Sequence, residues 1–194
     1  MIKNIKILKT EILSDNWYIL KKITYSYTKE DGSVRTQVRE AYDRGNGATI
    51  LLFNKEEKTV ILTRQFRMPS FVNGNESGML IESCAGLLDG DSPEDCVIKE
   101  AEEETGYRIK EPKKIFEAYM SPGAVTEIVH FFVAEYSKQM KVNEGGGAKD
   151  EEENIEVLEM NIGEAMKMIE NGGIKDGKTI MLLQYLKLNK LVDE

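Results

Sequence analysis

Histidine is nearly missing from this chain: of its 194 residues, only His130 is one. That excludes a His-rich metal cage, and a Ser-His-Asp or Cys-His triad would have to use this single residue. It lies in Ile128-Val129-His130-Phe131-Phe132-Val133, which reads as a buried strand, so the chemistry must rest on carboxylates. Cysteine is also scarce. Cys84 and Cys96 make neither a disulfide framework nor a zinc site, and a reduced, cytoplasmic protein is the expectation. Long apolar runs are lacking too. Ala48–Phe53 and His130–Ala134 fall far short of a bilayer span, and the opening Met1–Lys6 has no continuous apolar segment of the kind a signal peptide needs. Positive charge is outnumbered, with 26 Lys and Arg against 34 Asp and Glu and a net charge of −8. An acidic chain without a basic block is poorly suited to nucleic acid or to an anionic membrane.

What is present is a folding composition, with 41% apolar and 31% charged residues. The length suits one domain, or one domain with a small appendage. Trp17–Leu20, Ile23–Tyr27 and Val34–Val38, with a turn at Lys29–Ser33, predict a small N-terminal antiparallel sheet. A second hairpin is expected from Ala48–Phe53 and Val60–Arg67 around the polar turn Asn54–Lys58. Pro69–Gly78 reads as a long polar loop and Gly78–Cys84 as a strand. Further strands are predicted at Ile115–Met120, Ile128–Tyr136 and Ile155–Leu158, and amphipathic helices at Ile162–Glu170 and Lys178–Leu191. Met79, Met120 and Met181 read as core or interface filler.

The informative helix starts near Ser92. Ser92 suits the cap, Pro93 the first helical position and Asp95 the capping-box position, and Gly106 ends the helix. At about 100° per residue, Glu100, Glu103 and Glu104 fall within an arc of about 100°, with Glu102 nearly opposite. Val97 and Ala101 place that face beside the core. Three like charges near a helix C-terminus repel one another and oppose the macrodipole. The arrangement makes sense against a hard divalent cation such as Mg²⁺, which takes oxygen ligands and bridges carboxylates to phosphates. Read from the helix alone, a solvated acidic surface explains the pattern equally well.

The segment Glu100-Ala101-Glu102-Glu103-Glu104-Thr105-Gly106-Tyr107 resembles the end of the Nudix box. Two features depart from the general family form. The stretch Gly86 to Gly106 is one residue shorter than the family spacing, so that Asp91 or a neighbour stands where the family has its first Glu, and Lys99 replaces an Arg. Both departures are shared by the GDP-mannose hydrolase branch, close to the ADP-ribose pyrophosphatases. Tyr42–Ala48, Arg64-Gln65-Phe66-Arg67, Asn73–Gly78, Glu82–Asp89, Ser121-Pro122-Gly123 and Asp176-Gly177-Lys178-Thr179 resemble that branch as well. The resemblance thus covers nearly the whole chain.

The resemblance implies an α+β protein: a Nudix α/β/α sandwich with a mixed β-sheet over 46–194, plus a small N-terminal antiparallel β domain over 1–45 that forms a homodimer. It implies Mg²⁺-dependent hydrolysis, with Mn²⁺ as a substitute, of a nucleoside diphosphate sugar, foremost GDP-mannose to GMP and mannose 1-phosphate. ADP-ribose is the near alternative, and a non-catalytic nucleotide-sugar sensor the more distant one. The implied metal ligands are Glu100, Glu104 and Glu103, the backbone carbonyl of Ala85, and Glu153. The implied catalytic acids are Glu153 and Glu152 of the acidic loop, with Glu104; Glu151 is the third acid of that loop. The run Gly145-Gly146-Gly147 reads as a source of hinge-like freedom for the loop. Substrate contacts are implied at Ala85, Gly86, Leu87, Glu104, Glu152, Glu153, Arg67, Lys178 and Glu127, and, from a dimer partner, at Val38, Arg39 and Glu40. Arg67 suits a diphosphate clamp through paired donors. Trp17 suits stacking on the base, or equally an N-terminal sheet or dimer contact.

Overall fold

The computed structural model describes residues 1–147 and 154–192, in two compact units. The first comprises Met1–Asn46 and Tyr119–Ile128. In it β1 (Lys3–Asp15), β2 (Ile19–Thr28) and β3 (Val34–Asp43) form an antiparallel sheet in the order β1-β2-β3. The Ser121-Pro122-Gly123 turn belongs to this unit because Tyr42 N donates to the Ala124 carbonyl at 2.8 Å and Thr126 N to the Tyr42 carbonyl at 3.1 Å. The long β1 was not expected. Its Lys-Asn-Ile-Lys-Ile-Leu-Lys start mixes polar and apolar residues, and register shifts along its pairing with β2 break a strict alternation.

The second unit, Gly47–Ala118 and Val129–Glu194, carries the mixed sheet. Its elements run β4 (Gly47–Asn54), β5 (Thr59–Phe66), the short α1 (Met68–Val72), β6 (Met79–Glu82), β7 (Cys84–Leu87), α2 (Pro93–Glu100), β8 (Lys113–Tyr119), β9 (Ile128–Glu135), β10 (Glu156–Asn161), α3 (Ile162–Glu170) and α4 (Gly177–Leu188). The strand order is β10-β5-β4-β9-β8, with β6 on β5 and β7 on β4; β4 and β9 are parallel and the β4–β5 hairpin is antiparallel. Asn54 shapes the hairpin turn by accepting from the amides of Glu56 and Glu57 at 2.9 and 3.0 Å.

Every residue of β4 is buried, as a central strand covered on both faces requires. Ala48, Ile50 and Leu52 join Cys96, Val97 and Ala101 from the α2 side, while Thr49 faces the polar cluster that reaches Thr179 of α4. Leu182, Leu183 and Leu186 of α4 are fully buried. This is the α/β/α sandwich anticipated, accompanied by an antiparallel N-terminal sheet. The expected Pro69–Gly78 loop differs in opening with α1, where Pro69 occupies the first turn, and in being closed by Arg67 N donating to the Gly78 carbonyl at 2.8 Å. No helix among the described residues is long and apolar enough to cross a membrane.

Candidate active site

The carboxylate helix begins as its residues dictate. Ser92 Oγ accepts from Asp95 N at 3.1 Å and donates to its carboxylate at 2.6 Å, and Pro93 opens the first turn. Its end differs from a regular helix. Ala101–Thr105 forms a π-helical turn, and Gly106 closes it in the left-handed region at φ 81°. A side chain at Gly106 is excluded twice over, since a Cβ would lie 2.1 Å from the Asn143 carbonyl oxygen. Thr105, fully buried, donates its hydroxyl to the Ala101 carbonyl inside this turn.

The π turn winds less per residue than an α-helix, so Glu103 and Glu104 are spaced around the axis differently than in a regular helix. Glu100 and Glu104 both lie against β7. The Glu104 carboxylate, only 3% exposed, accepts from Ala85 N at 3.3 Å. The Glu100 carboxylate fills the space over Gly86, where a Cβ would stand 2.0 Å from its Oε1. Both charges act on the buried Cys84 thiol, which burial first, then Glu104 and Glu100, pushes up well above its ordinary value. Cys96, which donates to the Leu87 carbonyl at 3.3 Å, is pushed up to about 12 by burial first and Glu100 next. Glu103 is half-buried. Among the described residues no three His, Cys, Asp or Glu side chains are grouped to hold a metal.

A buried and a partly buried carboxylate beside the backbone of Ala85 and Gly86 nonetheless fit a hard divalent cation. The donors at hand are oxygens, and Cys84, the soft atom nearby, is held as a neutral thiol. The implied further acids, Glu151, Glu152 and Glu153, lie outside the described residues. Their flank on one side is fixed to the helix end: Gly146 N donates to the Glu104 carbonyl at 2.9 Å and Gly147 N to that of Glu103 at 3.1 Å. On the other side Ile155 N donates to the Gly146 carbonyl at 3.3 Å. Gly146 and Gly147 therefore cap the helix end. Gly145, at φ 70°, passes so close that a Cβ would stand 2.5 Å from the Glu104 carbonyl oxygen.

Arg67 and Lys178 meet through a residue that had no assigned role. Glu82, at the end of β6 and 3% exposed, accepts from Arg67 Nε at 2.7 Å through one oxygen, and its other oxygen lies 3.4 Å from Lys178 Nζ. Lys178 also pairs with Asp176 at 2.7 Å. Asp176 caps α4, accepting from Thr179 N and Oγ1 at 2.9 and 2.8 Å. Thr179 Oγ1 accepts from Ser83 N at 2.6 Å, and Thr49 donates to the Cys84 carbonyl at 2.9 Å while contacting Ser83 Oγ at 2.8 Å. A buried polar chain thus leads from Arg67 and Lys178 to the strand beneath Glu104. Asp176 at the start of α4, three residues before Thr179, was readable as a cap; the role of Glu82 depends on partners 15 and 96 residues away and left no local signal.

The remaining candidates lie in the first unit. Trp17 is 84% exposed with its ring tilted against Tyr18, and Arg44 covers the other aromatic of that pair, its guanidinium 5.3 Å from the Tyr18 ring centre. Glu127 is mostly buried, with Oε1 3.6 Å from Arg44 Nε. Val38 and Glu40 are exposed, and Arg39 donates to the Val38 carbonyl at 2.8 Å and to Gln37 Oε1 at 3.3 Å. His130 lies in β9 with Nδ1 3.1 Å from a Glu117 carboxylate oxygen, away from Glu100 and Glu104 in its contacts.

Two carboxylates, Glu100 at the end of α2 and the buried Glu104 in the π turn that follows, set against β7 of a mixed α/β/α sheet, are matched by known sequences. Residues 43–182 match the model described as the NUDIX domain, and the chain belongs to the Nudix family. Residues 4–42 match the model described as the GDP-mannose pyrophosphatase NudK N-terminal domain. Over 193 residues, covering 100% of both chains, the protein is 58% identical to the GDP-mannose pyrophosphatases of Shigella dysenteriae serotype 1 (strain Sd197), Escherichia coli O157:H7 and Escherichia coli (strain K12).

Proposed function

We propose that this protein hydrolyses the pyrophosphate bond of a nucleoside diphosphate sugar, and that GDP-mannose is the substrate, water adding across the bond to give GMP and mannose 1-phosphate. The observation that carries the reading is the convergence of Glu100 and Glu104 on Ala85 and Gly86, a few residues along the chain from Glu82, which holds the cations Arg67 and Lys178. One end of this arrangement suits a cation and the other an anion, which is what a metal-bound diphosphate presents. Glu100, Glu104 and the Ala85 carbonyl would hold Mg²⁺, or Mn²⁺ in its place, with Glu103 and Glu153 completing the set. The ion would neutralise diphosphate charge and lower the pKa of water. Arg67 and Lys178 bind and orient the diphosphate. Glu153, with Glu152 and Glu151 as the other acids of that loop, takes the proton from the attacking water. Ala85, Gly86 and Leu87 line the approach.

In the first unit Trp17 stacks on the base and Glu127 reads base or sugar, while Val38, Arg39 and Glu40 serve a partner copy. The homodimer is supported by the apolar side chains that β1 leaves exposed, among them Ile5, Ile7, Leu8, Ile12 and Leu13. The 1–45 sheet is proposed as the dimer-forming domain and 46–194 as the hydrolase domain. A cytoplasmic setting is supported by the two free, buried cysteines. The test is phosphate release from GDP-mannose and ADP-ribose in the presence of a phosphatase, with and without Mg²⁺. Mg²⁺-dependent turnover with the higher kcat/KM for GDP-mannose is expected. Preference for ADP-ribose overturns the substrate, and folded protein that turns over neither overturns the enzyme.

A further inference from the structure

We infer that Glu82 is a positioning residue for the diphosphate: one buried carboxylate sets the direction of both Arg67 and Lys178. The inference rests on the reading that these two cations bind the substrate. Glu82 is buried to within 3% and touches Arg67 and Lys178 with different oxygens, at 2.7 and 3.4 Å. A buried carboxylate is costly unless it is paired, and here its two pairs are cations of half-exposed and mostly buried side chains. Among the described hydrogen bonds Arg67 meets Glu82 through Nε alone, which leaves the Nη1–Nη2 edge of the fork to face another planar or tetrahedral anion. Lys178 has a flexible stem and three rotatable donors, and alone would sample many directions. Glu82 and Asp176 take it from two sides, and Asp176 is itself fixed as the cap of α4. Glu82 and Asp176 also balance the two cations in charge.

A purely structural carboxylate and a positioning one differ in how their loss combines with that of a clamp. Kinetics with GDP-mannose would be compared for the wild type, Glu82→Gln, Arg67→Ala and the double variant, in the full-length protein. Glu82→Gln is expected to raise KM by about 10- to 100-fold, the scale of a lost charged hydrogen bond, with kcat within about threefold. In the Arg67→Ala background the added factor should be smaller than in the wild type, because one of the two cations it aims is already gone. Glu82→Asp, which keeps the charge on a shorter arm, should recover part of the KM, and it carries the same double-variant comparison if Glu82→Gln fails to fold. An unchanged or lowered KM in Glu82→Gln, or the same factor lost in both backgrounds, overturns the inference. If instead Arg67→Ala and Lys178→Met both leave KM unaltered, the clamp reading itself falls, and the inference with it.

Discussion

Replacing Gly86 with Ala separates the carboxylate site from the fold. The backbone there is ordinary β-strand, hydrogen-bonded to β4, so the substitution meets no conformational penalty. What it meets is Glu100: the new Cβ would stand 2.0 Å from Oε1, 2.3 Å from Cδ and 2.7 Å from Cγ. Ordinary contact requires roughly 3.5 Å, so the carboxylate has to retreat by about 1.5 Å. All three atoms belong to the outer part of a flexible side chain, and the strand need not move. Thermal stability should therefore change little. A displacement beyond about 1 Å at a reacting centre costs about 100-fold in rate, or about 2.7 kcal/mol of barrier. Steady-state kcat/KM for GDP-mannose across a Mg²⁺ titration, together with a circular dichroism melt, reads both quantities. We expect kcat/KM down about 100-fold, a higher Mg²⁺ requirement and a melt within a few degrees of wild type. In a Glu100→Ala background the same change should cost almost nothing more. A Gly86→Ala variant within about threefold of wild-type kcat/KM at low Mg²⁺ would refute the placement of Glu100 in the site.

Three further outcomes follow from the same geometry. Glu104→Gln keeps an oxygen for the Ala85 amide but loses the charge, so turnover should fall by orders of magnitude while the chain still folds; near-normal kcat rejects its assignment. Glu153→Gln should lower kcat more than it weakens binding, and a change confined to KM argues against a base at that position. Asp43 supplies a pH test in the first unit. Lys21 foremost, then the Gly45 amide, holds its carboxyl below the ordinary 3.8. A folded value below the unfolded one means that the stabilisation is complete above that ordinary value and is lost as pH falls through the folded one. Asp43→Asn should narrow the difference in urea midpoint between pH 6 and pH 3; an undiminished difference sinks the attribution.

The helical part of the site was legible because its signals are local. Ser92, Pro93 and Gly106 mark the helix ends within a few residues of each other, and Glu100 and Glu104 sit one turn apart. Periodicity could not show that the last turn is π-helical. The width of that turn is set by tertiary contacts, among them Gly145 pressed on the Glu104 carbonyl from 41 residues downstream. The α/β/α layers were legible through the resemblance, and the wholly buried β4 is covered on both faces as they require. By contrast β1 was hidden by its own lysines, and Glu82 by the distance in sequence to its partners. Arg67 and Lys178 were singled out by resemblance, but nothing in either segment indicates that they share a carboxylate.

The amides of Gly146 and Gly147, stitched to the turn that bears Glu103 and Glu104, tie two stretches far apart in sequence into one structural piece. Anyone transplanting the acidic insert from a relative with other substrate tastes should splice after Gly147 and before Ile155, where the stitching stays whole. A splice placed ahead of Gly145 would unpick the carbonyls of the helix and loosen the very carboxylates the graft was meant to serve.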